Sequence, residues 1–90
     1  MVKKHLNIWI SGLVQGVFFR KHTRDKAKEM GITGFVRNLP DGSVYMEAEG
    51  EEVALDAFME WCQKGPDDAF VEKVRVVEHK PKNYPSFIIK

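Results

Sequence analysis

A glycine-containing run from Gly12 to Arg20 carries residue types that bind phosphate-like anions. It lies between an alternating apolar stretch and a charged stretch with helical spacing, which predicts a strand, a loop and a helix start. In such a loop several unpaired backbone N–H groups point the same way, and the helix dipole adds partial positive charge. Arg20 at the helix start adds a planar, permanently charged fork that matches a phosphate or a carboxylate. The segment therefore predicts an anion-binding site.

The apolar spacing of the whole chain predicts the elements that position this loop. Period-two and helical spacing alternate along the sequence, with turn residues between the segments. The predicted strands cover residues 5–12, 32–39, 43–49, 71–77 and 87–89, and the predicted helices cover residues 19–30 and 50–64. The second helix is expected to bury one face consisting of Val53, Ala54, Ala57, Phe58, Trp61 and Cys62.

The order β-α-β-β-α-β with a terminal extra strand predicts an α+β sandwich of the ferredoxin-like type. Right-handed crossovers place both helices on one face of an antiparallel sheet, and the other face is expected to be open or only partly covered. Residues 1–90 are expected to form a single domain. This fold hosts enzymes and binding proteins alike, so the function has to be argued from particular residues.

Composition narrows the range of partners and compartments. A net charge of +1 gives no bulk attraction to nucleic acid or to anionic membranes, so neither is expected as a partner. No apolar run is long enough to span a bilayer, and the N-terminal residues do not resemble a signal peptide. Cys62 is the single cysteine, which excludes an internal disulfide and favours a reducing, cytoplasmic location. A monomer is expected.

Two separate motifs together resemble the acylphosphatase family. The first is Gly12-Leu13-Val14-Gln15-Gly16-Val17-Phe18-Phe19-Arg20, and the second is Gly34-Phe35-Val36-Arg37-Asn38-Leu39-Pro40-Asp41-Gly42. The resemblance covers nearly the whole chain, including its length, its order of elements, Gly65-Pro66 after the second helix and the aromatic-ended C-terminal strand. It implies hydrolysis of acyl phosphates to a carboxylate and inorganic phosphate.

The resemblance also implies roles for particular residues. By position, Arg20 matches the phosphate-binding arginine of the family and Asn38 matches its water-positioning asparagine. The backbone that matches the phosphate cradle consists of Gln15, Gly16, Val17, Phe18, Phe19 and Arg20. The expected ligands are a small-molecule acyl phosphate and inorganic phosphate or a similar anion, with no cofactor and no metal. The chain departs from the family at Leu39, where many members carry threonine or serine, and at Phe35, where tryptophan is common.

Other phosphate chemistries match the residues less well. A cysteine phosphatase has its cysteine six positions before the arginine, which here is Val14, and no Gly-Lys-Ser/Thr of a P-loop follows the glycines. No set of acidic residues and histidines near the loop has metal-ligand spacing. The mechanism that these residues leave open is direct attack of water on the phosphoryl group. Because an amide is not a base, Asn38 can only orient that water, which suits a carboxylate leaving group that needs no general acid.

Simpler interpretations of the same residues stay open at this stage. Gly12 and Gly16 alone are equally consistent with a tight turn, and Asn38 alone is more typical of a strand end than of a catalyst. A nucleic-acid-binding module on the same fold would use Trp9 or Tyr45 to stack bases, but the near-neutral charge argues against it. A catalytically silent anion-binding domain would retain the same loop, so only measured turnover separates it from an enzyme.

Overall fold

The computed structural model describes residues 3–90, in which five strands form one sheet and two helices pack on it. In chain order the elements are β1 (Lys3–Leu13), α1 (Phe19–Glu29), β2 (Thr33–Asn38), β3 (Val44–Glu51), α2 (Glu52–Lys64), β4 (Phe70–His79) and β5 (Phe87–Ile89). The strands lie side by side in the order β4-β1-β3-β2-β5. The two split β-α-β units of the ferredoxin-like fold account for the first four strands and both helices.

The sheet is mixed rather than wholly antiparallel, which corrects the prediction in one respect. The pairs β1–β3, β1–β4 and β2–β3 are antiparallel, as expected. The added strand β5 pairs with β2 in parallel, with Phe35 opposite Ile88. After β4 at one edge the chain crosses the sheet and then runs along β2 at the other edge in the same direction. No tight hairpin joins β5 to its neighbour, so an antiparallel pairing was not required.

The hydrophobic core lies between one face of the sheet and the two helices. Alternate residues of the strands supply one side of it, and the inward faces of α1 and α2 supply the other. Its largest members with no more than 2% exposure are Phe19, Phe58, Phe87, Ile8, Ile10, Ile32, Met46 and Leu55. Burial of these side chains is the main stabilising contribution available to a chain of this size.

The second helix differs from its predicted start and from its predicted inner face. Gly50 and Glu51 belong to β3, because they pair with the first residues of β1, and the helix begins at Glu52. Phe58 and Cys62 are buried as predicted, and Ala54 and Trp61 pack against the core. Val53, which is 81% exposed, and Ala57 face outward instead, and Leu55 is buried in their place. Apolar residues occur around much of this helix, so the spacing alone is consistent with two different buried faces. Packing against the sheet decides between them.

The opposite face of the sheet carries a buried polar cluster that the alternation of β3 does not predict. The connection between β4 and β5, residues 80–86, crosses this face and covers one end of it. Beneath it His5 and Glu49 are fully buried, with His5 Nδ1 2.7 Å from Glu49 Oε2. The backbone N–H groups of Lys82 and Asn83 donate to the same Glu49 carboxylate. A strand face that alternation marks as solvent-exposed is therefore buried at this end.

Glu47 is the second carboxylate of this cluster and accepts hydrogen bonds on both oxygens. Tyr45 donates to Oε2 at 2.6 Å, and Tyr84 donates to Oε1 at 2.7 Å. Lys82 Nζ lies 3.3 Å from Oε1, and His5 Nε2 lies 3.0 Å from it. Burial alone raises the pKa of the Glu47 carboxyl, but these tyrosine and lysine donors outweigh burial and lower this pKa to about 2. The ionised form thus stabilises the folded chain.

We expect the substitution Glu47→Gln to remove part of the acid sensitivity of the fold. Because the pKa of Glu47 is lowered from 4.5 to about 2, its stabilisation is fully present above the unfolded pKa and is lost as the pH falls through the folded pKa. This carboxylate should contribute on the order of 2 kcal/mol to the free energy of unfolding at neutral pH. Urea unfolding of E47Q should show lower stability at neutral pH and a smaller further loss on acidification than the wild type.

The matched control for this experiment is Glu72→Gln, which changes an exposed carboxylate on β4. E72Q should follow the wild-type dependence on pH. An E47Q protein that loses as much stability on acidification as the wild type would show that Glu47 does not contribute to the acid transition.

Candidate active site

The loop between β1 and α1 begins at a β-bulge. The pairing of β1 with β4 shifts register between Ser11 and Gly12, and Gly12 has a φ of 127°. A Cβ at Gly12 would collide with the carbonyl oxygen of Phe70 on the neighbouring strand. Only glycine therefore permits the bulge, which bends β1 as the chain enters the loop.

The loop ends at a helix N-terminus whose backbone donors are unpaired. We call residues Gln15–Arg20 the phosphate loop; their backbone N–H groups donate no hydrogen bond to any acceptor within residues 3–90. The N-cap residue Phe18 has φ 57° and ψ 25°, a left-handed conformation that costs a non-glycine residue about 1 kcal/mol. No side chain among residues 3–90 caps this helix, and its first turn has no acidic residue. The dipole of α1 is thus left free to attract an anion.

Arg20 lies in the first turn of α1, at the end of the helix that the dipole makes unfavourable for a cation. Within the described chain no carboxylate lies at ion-pair distance from its guanidinium, whereas Arg24, one turn further on, contacts Asp25. The side chain is half-buried and lines a pocket beside the phosphate loop. An unpaired arginine at a helix N-terminus is electrostatically compensated when an anion occupies the pocket.

Asn38 is the last residue of β2, and its side chain reaches the same pocket. It lies on the helix-covered side of the sheet, two residues after the core residue Val36. Its Oδ1 atom is buried, and no hydrogen-bond donor within residues 3–90 lies in reach of it. A buried carbonyl oxygen without a protein donor is costly, so this atom is suited to accept a hydrogen bond from a small molecule in the pocket.

The pocket has a volume of about 270 Å³ and unites the two sequence motifs. Its lining residues are Val14, Gln15, Gly16, Phe18, Phe19, Arg20, Lys21, Asn38 and Ile89. All predicted site residues are among them except Val17, whose side chain packs against the hydrophobic core. Sequence reasoning did not assign Lys21, Ile89 or Val14 to the site. The position of Lys21 next to Arg20 in the helix could have indicated that Lys21 lines the site. Ile89 reaches the site only because β5 pairs in parallel with β2, which the sequence pattern does not predict.

Gln15 connects the two motifs through its side chain, a role that the sequence does not reveal. Its Nε2 donates to the carbonyl oxygens of Leu39 at 2.9 Å and Ser43 at 2.8 Å. These carbonyls belong to the hairpin that follows Asn38, and Ser43 is further fixed by Asp41. The amide of Gln15 therefore holds the end of β2 against the phosphate loop. Leu39 needs no hydroxyl for this contact, because its backbone carbonyl is the acceptor.

We expect Gln15→Ala to slow turnover without abolishing phosphate binding. Loss of both hydrogen bonds frees the hairpin that carries Asn38, and a misplacement of about 1 Å costs up to roughly 100-fold in rate. The backbone N–H groups of the loop and Arg20 remain, so the inhibition constant of inorganic phosphate should change little. Steady-state kinetics with phosphate as inhibitor measures both quantities, and Gln63→Ala on α2 is the matched control. Equal kcat in Q15A and the wild type would contradict this role.

Cys62 is not placed to act as a nucleophile at this site. It is fully buried in the core, with its Sγ 4.0 Å from Met46 Sδ, and it does not line the pocket. Burial raises the pKa of the Cys62 thiol well above its usual range, so the thiolate is not populated near neutral pH. Among residues 3–90 no three His, Cys, Asp or Glu side chains are grouped as metal ligands. None of the helices in this range could cross a membrane.

Comparison with known proteins identifies the family. The model of the acylphosphatase family matches residues 6–89. An acylphosphatase of Archaeoglobus fulgidus is 51% identical over 82 residues, which cover 91% of this chain and 92% of that protein. The fold and the site thus define an α+β hydrolase domain of the acylphosphatase class. The chain belongs to the acylphosphatase family, which confirms the predicted family and the predicted enzyme class.

Solved structures give the same result for the fold. An acylphosphatase from Coxiella burnetii superimposes with a TM-score of 0.94 at 38% identity, covering 98% of this chain and 93% of the other. An acylphosphatase from Bacillus subtilis also superimposes with a TM-score of 0.94, at 33% identity and with coverages of 97% and 98%. The predicted ferredoxin-like architecture with both helices on one face is confirmed.

Proposed function

We propose that this chain hydrolyses the carboxyl–phosphate bond of small acyl phosphates by direct attack of water. In this proposal Arg20 and the backbone N–H groups of the phosphate loop hold the phosphoryl group, and Asn38 orients the water. The observation that carries the proposal is the pocket itself: it combines N–H donors, an arginine and a buried amide oxygen that have no partner within residues 3–90. Family membership supplies the reaction class, and these residues supply a mechanism for it.

The phosphate loop suits a transition state in which charge builds up on three phosphoryl oxygens. Fixed N–H groups and the dipole of α1 need no reorganisation as that charge develops, so they stabilise the transition state more than water does. The guanidinium of Arg20 adds two parallel donors and a full positive charge. Exposed Lys21 contributes further positive charge at the rim of the pocket.

Asn38 suits a reaction that needs an oriented water and no strong base. Its buried Oδ1 accepts a hydrogen bond from the water and directs an oxygen lone pair toward phosphorus. Attack of water breaks the bond between phosphorus and the carboxyl oxygen, and both protons of the water end on the inorganic phosphate. The carboxylate leaves without protonation, because its conjugate acid has a pKa of about 4. In an alkyl phosphate monoester the leaving group would be an alkoxide, which would need a general acid. The pocket lining contains no carboxylic acid or histidine to supply one.

The experiment that tests this function is hydrolysis of benzoyl phosphate in excess chelator, with p-nitrophenyl phosphate assayed beside it. Turnover of the acyl phosphate with little turnover of the ester supports the proposal. Activity that disappears with chelator and returns with a divalent cation would overturn the metal-independent mechanism. A folded protein that binds inorganic phosphate but hydrolyses neither compound would be an anion-binding domain, and the enzymatic function would then be wrong.

A further inference from the structure

The face of the sheet away from the helices carries a continuous row of two arginines and two aromatic residues. Cross-strand pairing places Arg75 opposite Trp9, Trp9 opposite Tyr45, and Tyr45 opposite Arg37. The row therefore crosses β4, β1, β3 and β2 in order and spans about 14 Å, three strand spacings of about 4.8 Å each. We call these four residues the cross-sheet row.

Contacts within the cross-sheet row hold both guanidinium groups against aromatic rings. Arg75 lies over Trp9, with 4.9 Å from Cζ to the ring centroid, and Arg37 lies over Tyr45 at 5.6 Å. The Trp9 and Tyr45 rings are themselves 5.0 Å apart. Both arginines are exposed, so their guanidinium groups are accessible to a ligand as well as to the rings. Planar cations and aromatic rings are the groups on which unpaired nucleobases stack, while the N–H edge binds phosphate.

The cations of the row are not paired with neighbouring acids. Within residues 3–90 no carboxylate lies at ion-pair distance from Arg37, Arg75 or Lys73, which lines a small cleft beside Trp9. Glu47 lines the same recess as Arg37, but its carboxylate contacts Lys82 and accepts from Tyr45 and Tyr84. Asp41 lies at the rim, where its carboxylate accepts from the N–H and hydroxyl of Ser43. The net charge of +1 for the whole chain therefore does not reveal the local positive charge of this face.

A recess of about 440 Å³ lies over Trp9, Tyr45 and Arg37 and is distinct from the phosphate pocket. Successive residues of β2 point to opposite faces of the sheet. Asn38 therefore faces the phosphate pocket, and Arg37 faces the recess. The connection 80–86 covers the His5 and Glu49 end of this sheet face and leaves the Trp9 end open.

We propose that the cross-sheet row binds single-stranded nucleic acid. The strand runs across the sheet, with phosphates at the two outer arginines and at Lys73 and with bases stacked on Trp9 and on the guanidinium planes. Length and charge favour this ligand over a small anion, because the row presents separated cations with the partly exposed Trp9 ring between them, while Tyr45 is only 9% exposed. The proposal replaces the expectation from net charge that nucleic acid is not a partner.

The test is fluorescence anisotropy with a labelled single-stranded RNA of mixed sequence, about ten nucleotides long. We expect saturable binding whose log K falls against log salt with a slope of about −2, as three phosphate contacts predict. The double variant R37A/R75A should lose about tenfold in affinity or more, and Trp9→Leu should lose a similar factor. Turnover of benzoyl phosphate by R37A/R75A should match the wild type, which also verifies folding.

The matched control is K28A/K64A, which removes the same charge from exposed positions on α1 and α2. It should keep nearly all of the affinity. Equal losses in the two double variants would mean non-specific attraction and would overturn the proposal, as would absence of binding by the wild type at low salt. Displacement of the RNA by inorganic phosphate, or loss of binding in Arg20→Ala, would assign the RNA to the phosphate pocket. Equally tight binding of duplex RNA would exclude base stacking.

Discussion

Replacing Arg20 with alanine is expected to abolish phosphate binding and turnover together. Arg20 supplies a planar guanidinium at the helix start, and the neighbouring Lys21, an exposed point charge at the rim of the pocket, does not reproduce its paired donors. Loss of an arginine that stabilises a transferring phosphoryl group costs about 1,000-fold or more in rate. Arg20→Lys should recover little of this, because a point charge does not reproduce the paired donors. The measurements are kcat/KM for benzoyl phosphate and the inhibition constant of inorganic phosphate.

Arg24→Ala is the matched control, since Arg24 lies one helical turn further on and contacts exposed Asp25 instead of the pocket. R24A should retain wild-type kinetics. R20A should unfold at or above the wild-type temperature, because it removes a cation from the positive end of a helix dipole. An R20A protein that still binds inorganic phosphate with wild-type affinity would disprove the assignment of this residue.

The loop and the order of elements could be predicted from local patterns because local chemistry determines them. Gly16 has a positive φ of 75° in the loop, and Gly31, with a φ of 70°, follows the end of α1. Helical spacing of Phe19, Thr23 and Ala27 matches the buried face of α1. In each case neighbouring residues are sufficient, and distant contacts only reinforce the same outcome.

Features that depend on distant parts of the chain could not be predicted in this way. The alternation in β3 predicts that Glu47 and Glu49 lie on the same face of the sheet. It does not predict that the connection 80–86 covers and buries them. The hydrogen bonds from Gln15 to the hairpin likewise join residues 24 and 28 positions apart. Whole-chain charge also gives no information about the cross-sheet row, because that row exists only through strand pairing.

Replacing Asn38 with alanine is expected to lower kcat far more than it weakens phosphate binding. In the proposed mechanism the amide oxygen accepts a hydrogen bond from the attacking water, and this water is absent when inorganic phosphate binds as an inhibitor. Removal of one such oriented contact costs roughly 100- to 1,000-fold in rate. The inhibition constant of inorganic phosphate should stay close to the wild-type value, because Arg20 and the phosphate loop are unchanged. This separation of kcat from binding distinguishes a water-positioning residue from a phosphate ligand.

Asn38→Asp sharpens the test, because it keeps the shape and an acceptor oxygen but adds a negative charge beside the phosphoryl group. N38D should therefore weaken phosphate binding, unlike N38A, and the weakening should diminish when acidification protonates the new carboxylate. Thr33→Val is the matched control: Thr33 Oγ1, on the same strand, is also buried without a hydrogen-bond partner in the described chain, but Thr33 does not line the pocket. T33V should keep full activity. If N38A instead raises KM and the inhibition constant while kcat is unchanged, Asn38 binds phosphate and the water is oriented by another group.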